Sequence, residues 1–81
     1  MLKLYLIMQS ENTGYDTYDS AVVVAENEEM ARNTYPGTGN QIDWTEEPYC
    51  WCSRPENVEV RYLGDAVNVN PGVICASFNA G

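Results

Sequence analysis

The chain has 81 residues, room for a single domain spanning 1–81 and no more. Twelve acidic side chains oppose four basic ones and there is no histidine, a formal net charge of -8. That balance disfavours binding to a nucleic-acid backbone or an anionic membrane, because both need Lys and Arg. It also removes every Ser-His or Cys-His nucleophile pair. The apolar fraction of 44% suits a folded core, and no run approaches the ~20 apolar residues that span a bilayer.

Taken in chain order, MLKLYLIMQSEN lacks a small-residue cleavage site and reads as a mature first strand rather than a signal peptide. Residues 2–9 alternate, with Leu2, Leu4, Leu6 and Met8 on one face and Lys3, Tyr5, Ile7 and Gln9 on the other. Ser10, Asn12 and Gly14 punctuate a turn, and residues 17–25, TYDSAVVVA, form the second strand. The short connection implies an antiparallel hairpin.

ENEEMARNTYP predicts a helix. Asn27 suits the N-cap, Glu28 and Glu29 complement the dipole of the first turn, and Glu28 and Arg32 are spaced for an ion pair. Met30, Ala31, Thr34 and Tyr35 make one stripe, and Pro36 and Gly37 stop the helix. Residues 36–57 are a long aromatic-rich connecting segment. Either QIDWTEE holds a short helical turn, or the segment wraps the domain and packs through Ile42, Trp44, Tyr49 and Trp51.

Residues 57–64, NVEVRYLG, alternate again as a half-buried strand. Asn70, Pro71 and Gly72 are the strongest turn signal, and the apolar run VICASF, residues 73–78, predicts a well-buried last strand. The order β-β-α-β-β gives an α+β fold: a four-stranded, largely antiparallel sheet with one helix on one face. The other face is expected to carry some of Tyr5, Ile7 and Leu63. An uncovered apolar face predicts a homodimer at micromolar concentration, with the long middle segment as the competing cover.

Few residues offer chemistry. Cys50 and Cys52 flank Trp51 in C-x-C spacing, which is not the redox spacing, and the odd count of three cysteines suits a reducing compartment. Cys75 could join them as a third ligand of a zinc site, but the ordinary role of such thiols is packing, so no metal, cofactor or internal disulfide is expected. Asp16 and Asp19 are spaced like a carboxylate pair, yet hairpins recruit Asp for their own hydrogen bonds. Gly37 and Gly39 follow a helix instead of preceding one, so they make no phosphate loop. No catalytic residue emerges, and a non-enzymatic protein is expected.

Aromatic and acidic side chains gather in the two predicted loops. Tyr15, Asp16, Tyr18 and Asp19 belong to the first; Trp44, Glu46, Glu47 and Tyr49 belong to the second. Tyr and Trp dominate protein interfaces, and an acidic surface favours a basic partner. These eight residues are the expected partner-binding set. Two bland roles compete: tyrosines and tryptophans also fill small cores, and acids also keep small proteins soluble.

LKLYLIMQSENTGYDTYDSAVVVAENEEMAR, together with the ending GVICASFNAG, resembles a group of small uncharacterised acidic proteins encoded by phages and prophages. The resemblance brings no activity and no site residues. It implies a context: an accessory protein in the host cytoplasm that binds a host protein, as inhibitors of antiviral or CRISPR-type systems do. The alternative expectation is an oligomeric small-molecule binder that sequesters a nucleotide signal, for which Lys3, Arg32, Arg54 and Arg61 are the available cations.

Overall fold

The computed structural model describes residues 1–46, 50–67 and 70–79. Strands β1 (Lys3–Met8), β2 (Thr17–Ala25), β3 (Glu59–Asp65) and β4 (Gly72–Asn79) form one antiparallel sheet in the order β3-β1-β2-β4, and α1 (Glu28–Arg32) follows β2. This is the expected α+β architecture. Two 3₁₀ turns, Trp44–Glu46 and Pro55–Asn57, interrupt the connection from α1 to β3.

The β1–β2 hairpin is fixed by side chains at its turn. Gln9 is buried, and its amide nitrogen donates to the carbonyls of Asn12 (2.7 Å) and Tyr18 (2.9 Å). Its amide oxygen accepts from the Asn12 N–H at 2.8 Å. The Thr17 hydroxyl donates to the Gly14 carbonyl at 2.6 Å. Asp16 adopts φ 60°, a left-handed conformation that Asp tolerates better than most residues because its short side chain bonds locally.

The helix starts as expected, with the Asn27 Oδ1 accepting from the Met30 N–H at 2.7 Å and an exposed Arg32–Glu28 pair at 3.3 Å. It ends earlier than the predicted stop at Pro36. Asn33 caps it by donating from Nδ2 to the Glu29 carbonyl at 2.9 Å. Thr34 then pairs with Gln41 in an isolated bridge. Asn, Thr and Tyr before a proline are poor helix extenders, so the side-chain cap wins.

The core lies on one face. Tyr5, Ile7, Ala21, Val23 and Ala25 from the sheet meet Ala31 of α1, together with Trp51, Cys52 and Val58. Ile42 and Trp44 pack at its margin. The middle segment therefore covers the same face as the helix. Its backbone is tied there by the Tyr18 N–H, which donates to the Cys50 carbonyl at 2.9 Å, and by Asn12 Nδ2, which donates to the Trp51 carbonyl at 3.3 Å. Both expected features of this segment are present, a helical turn at Trp44–Glu46 and packing through Ile42, Trp44 and Trp51; Tyr49 lies outside the described residues.

Two burial expectations are corrected. Tyr5 and Ile7 do not lie on the open face: they are core, and the strand register puts Leu4, Leu6, Met8 and Val22 on the other side, each half-buried by its neighbours in the sheet. Of the three residues named for the open face, Leu63 alone is exposed. The register sets Val23 beside Tyr5 and Ala21 beside Ile7 on the covered face, and Val22 and Val24 beside Leu6 and Leu4 on the other. The second correction is β4. Its apolar run suggested a buried strand, but it is an edge strand, and Ile74, Cys75, Ala76, Ser77 and Phe78 are all exposed. Composition cannot tell a central strand from an edge strand, because that depends on pairing order.

The pairing order also sets the β3–β4 connection, which runs from one sheet edge to the other. The Ala66 N–H donates to the Leu2 carbonyl at 3.0 Å as the chain leaves β3. Just before it, Gly64 takes φ 154°, a region open to glycine alone, beside the register shift opposite Leu4 and Tyr5.

Trp51 is 1% exposed and is the largest fully buried side chain. Truncation to alanine is expected to cost roughly 3–5 kcal/mol, comparable to the whole stability of so small a domain. Urea denaturation of Trp51→Ala should therefore show a largely unfolded protein, whereas Tyr15→Ala, at an exposed position, should leave the midpoint nearly unchanged.

Candidate functional site

At the end of the sheet where β1 stops, two segments far apart in sequence converge. Ser10 and Glu11 leave β1, Glu56 and Asn57 come from the Pro55–Asn57 turn, and Glu59 opens β3 beside Met8. Together they line a groove of about 410 Å³. An adjoining groove of about 300 Å³ shares Ser10, Asn57 and Glu59, and adds Met8, Gln9, Asp19 and Ser20. Glu11, Asp19, Glu56 and Glu59 thus lie along one depression with no basic residue in its lining.

Glu11 is the organising residue. Its carboxylate accepts from the Ser53 N–H through both oxygens, at 3.1 and 3.2 Å, and from the Asn57 side-chain amide. The hydrogen bonds from Ser53 and Asn57 hold its pKa below the usual carboxylate range, and the Arg54 charge adds a smaller pull the same way. Glu11 therefore stays ionised while stapling the first loop to the segment before β3. Pro55, at the start of its 3₁₀ turn, pre-sets the backbone that presents Glu56 and Asn57.

Among the described residues, the expected partner-binding side chains sit on several elements. Tyr15 and Asp16 are exposed at the hairpin tip. Tyr18 is half-buried, with its ring 6.2 Å from that of Tyr35 and 4.7 Å from that of Phe78. Asp19 lines the second groove and accepts from the Ser77 hydroxyl at 3.4 Å. Trp44 is half-buried and donates from Nε1 to Asn33 Oδ1 at 2.8 Å, joining its turn to the end of α1. Glu46 is exposed on that turn, and Glu47 and Tyr49 lie outside the described residues. Only Asp19 of this set lines the acidic grooves; Glu11, Glu56 and Glu59 were not singled out in the sequence. The signal for them was weak, because acids 45 residues apart look unrelated until the hairpin and the last turn meet.

The thiols occupy three environments. Cys52 is buried, its Sγ–H donates to the Arg54 carbonyl at 3.4 Å, and burial pushes its pKa up to about 11. Cys50 is half-buried beside Tyr35, whose hydroxyl is pushed up to about 12, first by burial and then by that thiol. Cys75 is exposed on β4, and all three cysteines are free. Among the described residues no three His, Cys, Asp or Glu side chains are placed to share a metal ion. No described helix is long and apolar enough to cross a membrane.

Neither family models, curated proteins nor solved structures include a match to this chain.

Two measurements check this geometry. With a depressed folded pKa, Glu11 contributes stability that is present above the unfolded carboxylate value and is lost as pH falls through the folded value. In an NMR titration, the Ser53 amide should therefore shift at a pH below the ordinary Glu range, and Glu11→Gln should abolish that transition. A Ser53 titration at or above the ordinary Glu value would contradict the staple. For the thiols, a disulfide reagent at neutral pH should modify Cys75 fast and Cys52 only on unfolding, because a buried thiol held protonated is a poor nucleophile.

Proposed function

We propose that the protein is a non-enzymatic binding module that docks on a basic surface of a host protein, with the acidic grooves receiving Lys or Arg side chains. The observation that carries this reading is the convergence of Glu11, Asp19, Glu56 and Glu59 in a lining with no basic residue, Arg54 standing outside it and pulling only weakly on Glu11. Within one chain, like charges that gather at a depression repel one another, and a cation from outside relieves that repulsion. The depression is open to solvent, which suits side chains of a protein surface better than an enclosed small molecule.

The biological setting follows the resemblance to small acidic phage proteins: an accessory factor in the host cytoplasm that inhibits an antiviral or nucleic-acid-handling system. Basic sites that grip nucleic acid are the natural targets for an acidic docking surface. Sequestration of a nucleotide signal is the competing function, and it needs converging cations. Arg54 and Arg61 are both exposed; Arg54 precedes the Pro55–Asn57 turn and Arg61 lies inside β3, and neither lines the grooves.

The test is binding of an arginine-rich peptide and of a nucleotide panel by calorimetry, over a salt series. The peptide should bind and weaken steeply with salt, since exposed charges are screened beyond roughly 8–10 Å at physiological ionic strength. Glu56→Lys with Glu59→Lys should weaken it roughly tenfold or more, chiefly through the association rate. Reversal of Glu46 should have a smaller effect, because it lies on a different turn. Peptide binding indifferent to Glu56 and Glu59 would overturn the docking role of the grooves. Tight binding of a nucleotide, lost on Arg54→Ala or Arg61→Ala, would establish the competing function instead.

A further inference from the structure

The two edges of the sheet are built differently. Both edge strands have a glycine at positive φ and a register shift against their neighbour, Gly64 at 154° in β3 and Gly72 at 143° in β4, but β3 also carries Glu59, Arg61 and Asp65. Charged side chains are a usual device that keeps a sheet edge from pairing with another chain. On the other side β4 has the sequence GVICASFN, eight residues with no charge and no proline. It is the only one of the four strands without a charged residue, in a chain of net charge -8. It pairs with β2 on one side, and among the described residues nothing pairs with its outer side. Its Ile74 is 52% exposed and its Phe78 44% exposed.

The geometry points to β4 as a homodimer seam, in which two copies pair their β4 strands antiparallel and extend the sheet to eight strands. Electrostatics selects the occupant. Two copies of so acidic a chain repel, and the repulsion is least where the contact strand itself is neutral; the acid beside it, Asp19, stands one strand back in β2 and is bonded to Ser77. A basic partner gains nothing at an uncharged strand. Stacking the two open sheet faces is the rival arrangement. It brings Asp19 and Glu59 at the margins of both faces toward one another, and Leu4, Leu6, Met8 and Val22 there are already partly covered by their neighbours. Edge pairing satisfies a row of backbone N–H and C=O groups that otherwise face water, and it buries Ile74 and Phe78, which are the more exposed. The seam and the acidic grooves meet at Asp19, which bonds Ser77, but the variants that test each lie outside the other, so either proposal can fail alone.

The contact of one strand pair is small, so the dissociation constant is expected on the order of 10–100 μM. Cys75 and Ala76 lie at the middle of β4. In a two-fold antiparallel pair centred there, the β-carbon of Cys75 lies about 5–8 Å from that of the partner's Cys75. The experiment is light scattering over a concentration series, followed by treatment with a short bismaleimide. The mass should rise from that of the 9.1 kDa chain to twice it. The dimer should cross-link through Cys75, and the link should vanish in Cys75→Ser. Ala76→Lys and Ile74→Lys, each folded by a dispersed amide spectrum, should raise the dissociation constant at least tenfold, while Leu6→Glu on the open face should leave it unchanged. A monomer throughout the series would overturn the seam. So would a dimer that survives both lysine variants, or one that Leu6→Glu dissociates.

Discussion

The burial of Trp51 among Tyr5, Ile7, Ala21 and Val23 is the contact on which the rest of the fold depends. A helix of five residues is only about 7.5 Å long at 1.5 Å per residue, and four strands at ~4.8 Å spacing place the outer two about 14 Å apart. α1 therefore leaves much of its own face of the sheet bare. Trp51 and Cys52 fill that space, and Ile42 and Trp44 close its margin. The cost shows at one atom: the Trp51 Nε1 is buried without a hydrogen-bond partner among the described residues. An indole brings enough apolar area to outweigh one unmade hydrogen bond, which is worth about 1–3 kcal/mol.

The segment that carries this tryptophan is held by its backbone. The Cys50 carbonyl bonds β2 at Tyr18, and the Trp51 carbonyl bonds Asn12 in the first loop. Two residues later Ser53 reaches Glu11, and after the Pro55–Asn57 turn the chain enters β3 beside β1. The acidic depression is thus a consequence of core packing: the route that buries Trp51 also brings Glu56 and Glu59 to the end of β1, where Glu11 already stands. Core and candidate site are mechanically one unit, with the site at its rim.

Much of the architecture could be read directly from residue patterns. Alternation in residues 2–9 and 57–64, the Asn27 cap and the hairpin punctuation each reflect local chemistry, so the strands, the helix start and the α+β class followed from the sequence. What was not legible depends on which strands become neighbours. VICASF suggested a buried strand, yet it lies at the edge, since β4 pairs with β2 alone among the described strands. The leucine row of β1 looked like its buried face, but Val23 and Ala21 of β2 sit beside Tyr5 and Ile7 on the covered side, where α1 and Trp51 pack. The candidate site was the least visible. Asp19 was named, whereas Glu11, Glu56 and Glu59 gained meaning only when Trp51 folded the middle segment back over the helix face.

The dependence of the fold on this packed segment is open to direct measurement by native-state hydrogen exchange at the Tyr18 amide, which donates to the Cys50 carbonyl at 2.9 Å. If Trp51 and its flanks are part of the single core, that amide opens only when the whole domain unfolds. Its exchange free energy and denaturant dependence should then equal those of the amides of Ile7 and Val23 in the central strands. If instead the Tyr18 amide exchanges by a local opening that denaturant does not promote, while Ile7 and Val23 stay protected, the segment is a detachable strap and the sheet and helix hold without it.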